Sequence, residues 1–133
     1  MKKKKMARGM AGLALLVLMT SAMTSDDIIT KEGNTTIVNT TLLTKDIVGY
    51  QSPTPVKIYI ENKKVVKVSP LRNQETPKYF QRAKTLLKQY EGMSVSKAAK
   101  AKVDGVTGAT MSSDALIKNV QAGVTYYNKN KKK

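Results

Sequence analysis

Val56, Ile58 and Ile60 alternate with Lys57, Tyr59 and Glu61, a two-residue period that gives an extended chain one apolar face and one polar face. Asn62-Lys63 follows, then Lys64 to Ser69, with Val66 and Val68 set to face one way. Asn tolerates the positive φ that a two-residue turn demands. Residues 56–69 therefore predict a β-hairpin, closed by Pro70. Upstream, residues 26–34 are polar, with Gly33-Asn34 as a turn signal. Thr35 to Leu43 is rich in β-branched residues and predicts another strand. Asp46-Ile47-Val48-Gly49-Tyr50 begins a further extended piece, which Ser52-Pro53-Thr54-Pro55 interrupts as a rigid loop.

Beyond the hairpin the period lengthens. Phe80, Ala83, Leu86, Leu87 and Tyr90 recur at helical spacing after Glu75-Thr76-Pro77. Thr76 is the expected N-cap and Pro77 the first helical residue, with Gly92 as the stop. Ser94 to Ala101 predicts a short helix with Val95, Ala98 and Ala99 inward. A last helix is expected from Asp114 to about Tyr127, capped by Ser112 or Ser113, with Leu116, Val120, Gly123, Val124 and Tyr127 on one face. The predicted class is α+β: a small antiparallel sheet, made of the 56–69 hairpin and N-terminal strands, packed by two or three helices.

The chain has no Cys and no His. Disulfides, thiolate metal sites, cysteine nucleophiles and an N-terminal lipid on cysteine are excluded. The commonest general base near neutral pH is missing too. No residue is assigned to catalysis or to a metal. The formal charge of +15 is uneven. Lys2–Lys5 and Arg8 crowd one end, and Lys129 and Lys131–Lys133 the other, which leaves +6 for the rest.

Residues 1–25 carry a positive start, an apolar run from Met10 to Met19, and small residues at Thr20-Ser21-Ala22. That order is expected of a secretory signal peptide, with an uncleaved signal anchor as the alternative. The expected division is 1–25 signal, 26–128 domain and 129–133 basic tail, with the mature protein exported to the periplasm or cell surface.

The chemically informative stretch is Asp104-Gly105-Val106-Thr107-Gly108-Ala109-Thr110-Met111-Ser112-Ser113. Two glycines and an alanine let a ligand approach the backbone. The stretch feeds a helix N-terminus, where free N–H groups and the positive dipole end favour a phosphate. Read from the residues alone, it is either an anion site or an ordinary glycine-containing loop with a serine cap.

Asp104 through Thr110 resembles the flavinylation motif of the FMN-binding domain family: Asp, two variable residues, Ser or Thr, Gly, Ala, then Ser or Thr. Gly49-Tyr50, the Pro55–Ser69 hairpin, Glu75-Thr76-Pro77 and the final helix fall in the family's order, so the resemblance covers roughly residues 46–127. It is similar to the flavinylated subunits of sodium-pumping NADH:quinone reductase and related electron-transport complexes. The resemblance implies that Thr110 takes FMN through a phosphoester bond, and that a separate magnesium-dependent flavin transferase makes the bond. The bare sequence agrees, since a Thr hydroxyl needs an activating base that this chain does not offer as His.

The same resemblance implies further roles. Gly108 and Ala109 keep the backbone thin. Thr107 either bonds the phosphate or folds the loop, and Asp104 is either read by the transferase or pins the loop. Glu75 and Thr76 approach the flavin, although a helix cap explains Thr76 equally well. Tyr50 stacks on the isoalloxazine or is an exposed strand-end residue, and Met111 packs on the ring or fills core. Lys78 stands where the family often has Gly.

The expected function is extracytoplasmic electron transfer by covalent FMN, with membrane-bound redox partners, no nucleic acid and no independent enzymatic activity. The alternative is a basic module for polyanions or anionic surfaces without cofactor. A flavin enzyme acting on a small substrate ranks lower, because no base or substrate pocket is visible.

Overall fold

The computed structural model describes residues 28–130, so the predicted signal segment and the last three lysines lie outside the described residues. Four antiparallel strands form one sheet in the order β1-β2-β3-β4: β1 Ile29–Glu32, β2 Thr35–Asn39, β3 Val56–Glu61 and β4 Lys64–Pro70. Three α-helices follow: α1 Pro77–Ala83, α2 Val95–Ala98 and α3 Thr110–Asn130, with a 3-10 segment Lys84–Tyr90 continuing α1. The class is α+β, as the periodicities predict.

The hairpin forms at the expected turn. Asn62 and Lys63 both take positive φ, 51° and 62°, the geometry whose twist suits a two-residue connection. Val56, Ile58 and Ile60 are buried, each 2% exposed or less. The partner strand departs from its simple alternation. A register shift at Tyr59/Ile60 pairs Ile60 with Val65 and Ile58 with Val68, so Val65 and Val68 point inward and Val66 is exposed. A bulge of this kind places an extra residue on one strand and breaks the two-residue count.

Three further expectations are corrected. Ile29–Glu32 is a strand, paired with β2 across the Gly33-Asn34 turn, although its residues are mostly polar: it is an edge strand with an exposed outer face. β2 ends at Asn39, not Leu43. The Asn39 Oδ1 accepts from the Thr41 amide at 2.9 Å and from the Thr41 hydroxyl at 2.6 Å, a side-chain turn that diverts the chain. Residues 46–50 are not a strand. Their only ladder contact is an isolated bridge, Val48 to Pro53.

The helices cover one face of the sheet. α3 buries Leu116, Val120, Gly123 and Val124 against it. Gly123 lets α3 approach the sheet closely: a Cβ there would lie 2.6 Å from Ile58 Cδ1 and 2.8 Å from Thr40 Cγ2, so the neighbours would have to shift. α3 begins at Thr110, one turn earlier than expected, and Lys129 belongs to its last turn instead of a tail. Residues 92–95 run along β4 and satisfy its outer edge. The Val65 amide donates to the Met93 carbonyl at 2.8 Å, and the Gly92 amide to the Val65 carbonyl at 2.7 Å. Ser94 caps α2 by accepting from the Lys97 amide at 3.1 Å.

Candidate functional site

α3 starts where the 104–109 loop meets the 46–52 loop and the start of α1. The first intrahelical bond runs from the Ser113 amide to the Ala109 carbonyl, 2.9 Å. The amides of Thr110, Met111 and Ser112 precede it and are the free donors of a helix N-terminus. Neither serine caps the helix. Both lie buried inside its first turn and serve other groups. Ser113 Oγ accepts from the Val106 amide at 2.9 Å, which folds the loop back on the helix. Ser112 Oγ donates to Glu75 Oε1 at 2.6 Å.

Glu75 organises the other wall. It is buried at 6% exposure. Its carboxylate accepts from the amides of Tyr50 (2.8 Å), Gln51 (2.6 Å) and Ser52 (2.7 Å), besides the Ser112 hydroxyl. Burial by itself raises the Glu75 pKa. The bonds from Ser112, Gln51, Tyr50 and Ser52 outweigh it and hold the group below its ordinary value of 4.5, because each favours the charged form. Gly49 makes room for this carboxylate: a Cβ there would lie 2.6 Å from Glu75 Oε1. Glu75 is thus spent on joining two loops through one anion.

Between these walls lies a groove of about 350 Å³, with Tyr50 and Tyr79 on one side and Gly108 to Ser112 on the other. The two tyrosine rings meet edge to face, with centroids 5.9 Å apart at 68°. Lys78 holds its ammonium 6.0 Å from the Tyr79 ring centroid. Thr110 and Met111 are exposed at the groove, while Ala109 is buried beneath it. A second hollow of about 260 Å³ opens on the other side of Thr110, lined by Gly105, Val106, Thr107, Ser113 and Asp114. Gly108 has φ +86°, a conformation strained for any residue with a Cβ.

Of the residues singled out in the sequence, Tyr50, Gly108, Ala109, Thr110 and Met111 come together on one groove. Thr107 shares the smaller hollow with Thr110. Asp104 stands apart: its backbone amide and carbonyl bond the Gln89 side chain at 3.2 and 2.9 Å. Thr76 occupies the N-cap position without a side-chain cap bond, and only its carbonyl serves, accepting from the amides of Tyr79 and Phe80. Sequence reasoning missed Tyr79. Tyr79 sits beside Phe80, which carries the helical period, and its contact with Tyr50 spans a separation that no local pattern encodes.

The model of the FMN-binding domain matches residues 49–125, more than half of the chain. The chain belongs to the FMN-binding domain family. Neither the curated proteins nor the solved structures give a match. The groove fits the cofactor of an FMN-binding domain. The open amides of α3 and the thin Gly108-Ala109 backbone suit a phosphate. The Tyr50, Tyr79 and Met111 side chains suit a flat aromatic ring.

Proposed function

We propose that this FMN-binding domain is an extracytoplasmic electron carrier whose FMN is bonded through its phosphate to Thr110. The observation that carries the reading is the place of Thr110. Thr110 is a solvent-exposed residue at the free amide end of α3, on the rim of the tyrosine-lined groove, as the last residue of the Asp104–Thr110 motif. In the attachment step, the Thr110 oxygen forms a bond to the FMN phosphorus of FAD. The phosphoanhydride bond breaks, AMP leaves, and a base of the magnesium-dependent transferase takes the hydroxyl proton.

When bound, FMN would supply one- and two-electron redox chemistry. The chain's own residues position it. Ser113 folds the 104–109 loop against α3, and Glu75 fixes the backbone under Tyr50. Tyr50 and Tyr79 line the groove that would take the ring. The N-terminal basic and apolar segment supports export, and a covalent link keeps a cofactor that would otherwise diffuse away outside the cell.

Co-expression with a flavin transferase tests the reading. The denatured protein should fluoresce in a gel, the peptide containing Thr110 should gain one FMN less water, and Thr110→Ala should abolish both. A dark wild-type band beside an active transferase, or a fluorescent Thr110→Ala band, would overturn it.

A further inference from the structure

We propose that the Arg82 guanidinium is the cation that holds the FMN phosphate over the 106–110 loop; this rests on the flavin reading above. Arg82 lies in the last turn of α1. Its position is fixed by the neighbouring Ala83, which is fully buried, and by the Thr85 hydroxyl, which bonds the Arg82 carbonyl at 2.8 Å. The side chain reaches the motif loop. Both terminal nitrogens lie 3.5 Å, and Cζ 3.6 Å, from where a Cβ on Gly108 would stand. The charged fork, not the aliphatic stem, therefore faces the loop.

The φ of +86° is what disfavours a side chain at Gly108; the guanidinium lies at ordinary contact distance from where its Cβ would stand. Thr110 is only two residues further, within about 7 Å of chain. A phosphodiester on its oxygen has one negative charge and two free oxygens. A guanidinium presents two parallel N–H donors. The match is one fork to one diester. Arg82 is solvent-exposed. The carboxylate of the groove wall, Glu75, is taken up by the Tyr50, Gln51 and Ser52 amides and the Ser112 hydroxyl, which leaves the Arg82 charge to a ligand.

The test is a thermal-unfolding cycle on four forms: wild type and Arg82→Ala, each with and without co-expressed transferase. Removing an exposed arginine should leave the melting temperature of the unflavinylated protein unchanged. The flavinylated Arg82→Ala should melt below the flavinylated wild type, Arg82→Lys should fall between, and the gap should shrink in high salt. Equal shifts with and without flavin, or none in either, overturn the proposal. Wild type lacking the adduct on Thr110 sinks the flavin reading itself, which separates the two failures.

A second measurement does not depend on loading. Fluorescence titration of the unflavinylated protein should show FMN binding about fivefold more tightly than riboflavin, the scale of one exposed ion pair. Arg82→Ala should bring that ratio near one without changing riboflavin binding. A ratio unaffected by the substitution overturns the proposal.

Discussion

Two buried polar centres hold α3, and they differ in charge. Asn119, midway along the helix and fully buried, is neutral. Its Oδ1 accepts from the hydroxyls of Thr40 and Thr44, and its Nδ2 donates to Thr54 Oγ1 and the Ala115 carbonyl. Thr40 Oγ1 in turn accepts from the Val56 amide at 2.9 Å. This centre ties α3 to the start of β3. Glu75 faces the first turn of α3 and is an anion. Its donors come from a loop and from Ser112, and none comes from the sheet. The neutral centre fixes the fold, while the charged centre fixes the groove. Only the second responds to pH.

Breaking the neutral centre should cost most. Asn119→Leu keeps the size but orphans the Thr40 hydroxyl and the Thr54 oxygen in a dry interior. The expected loss is about 3 kcal/mol, the scale of several unsatisfied buried groups, read by urea unfolding. Groove properties should follow the folded fraction alone.

Glu75→Gln should cost about 2 kcal/mol, because the amide group sets a donor against backbone N–H donors that were bonded to charge. The sign of its pH dependence follows from the lowered pKa. The folded value lies below the unfolded one, so the stabilisation is complete above the ordinary 4.5 and is lost as pH falls through the folded value. Wild type should therefore lose stability more steeply than Glu75→Gln below about pH 4.5. Between pH 5 and 7 the gap between them should stay flat. Parallel acid limbs would show that Glu75 is not the charged clamp drawn here.

The two centres also mark what the sequence makes legible. Local periods expose the β3 face, the 62–63 turn and the apolar side of α3, because each is written within a few residues. Glu75 gathers donors from 23 to 37 positions away, and no local pattern encodes that. The same connections explain why α3 starts at Thr110 and not at the expected Asp114. Ser112 and Ser113 look like caps, yet their hydroxyls serve Glu75 and Val106. Val65 and Val66 exchange faces because one bulge shifts the register. The Thr110 motif is legible by resemblance and not by geometry, and only the packing of α1 beside the loop brings Arg82 to it.

Tyr90 sharpens the rule that buried polar groups need partners. It is fully buried, and among the described residues its hydroxyl has none. Burial pushes its pKa up to about 12. Tyr90→Phe should therefore be neutral or stabilising by up to about 1 kcal/mol. The raised value means that the folded state keeps a proton the unfolded chain releases. Wild-type stability should fall as pH climbs past 10, and Tyr90→Phe should lack that part of the decline. A clear loss on Tyr90→Phe at neutral pH would instead reveal a partner for the hydroxyl.

The smallest effect is expected at Thr76, and Ser94 provides the contrast. Both residues precede helices as nominal N-caps. Ser94 accepts a bond from the Lys97 amide, whereas the Thr76 side chain makes no cap bond. Pro77 supplies the fixed φ that starts α1, and the Thr76 carbonyl accepts the first bonds whatever side chain is present. Ser94→Ala should cost about 1 kcal/mol and Thr76→Ala less than about 0.5 kcal/mol, both by chemical denaturation. If Thr76→Ala matches Ser94→Ala in the flavin-free protein, the hydroxyl caps α1 after all. If it is silent there but lowers stability once FMN is attached, Thr76 is a cofactor contact, and the wall opposite Thr110 extends from Tyr79 to the start of α1.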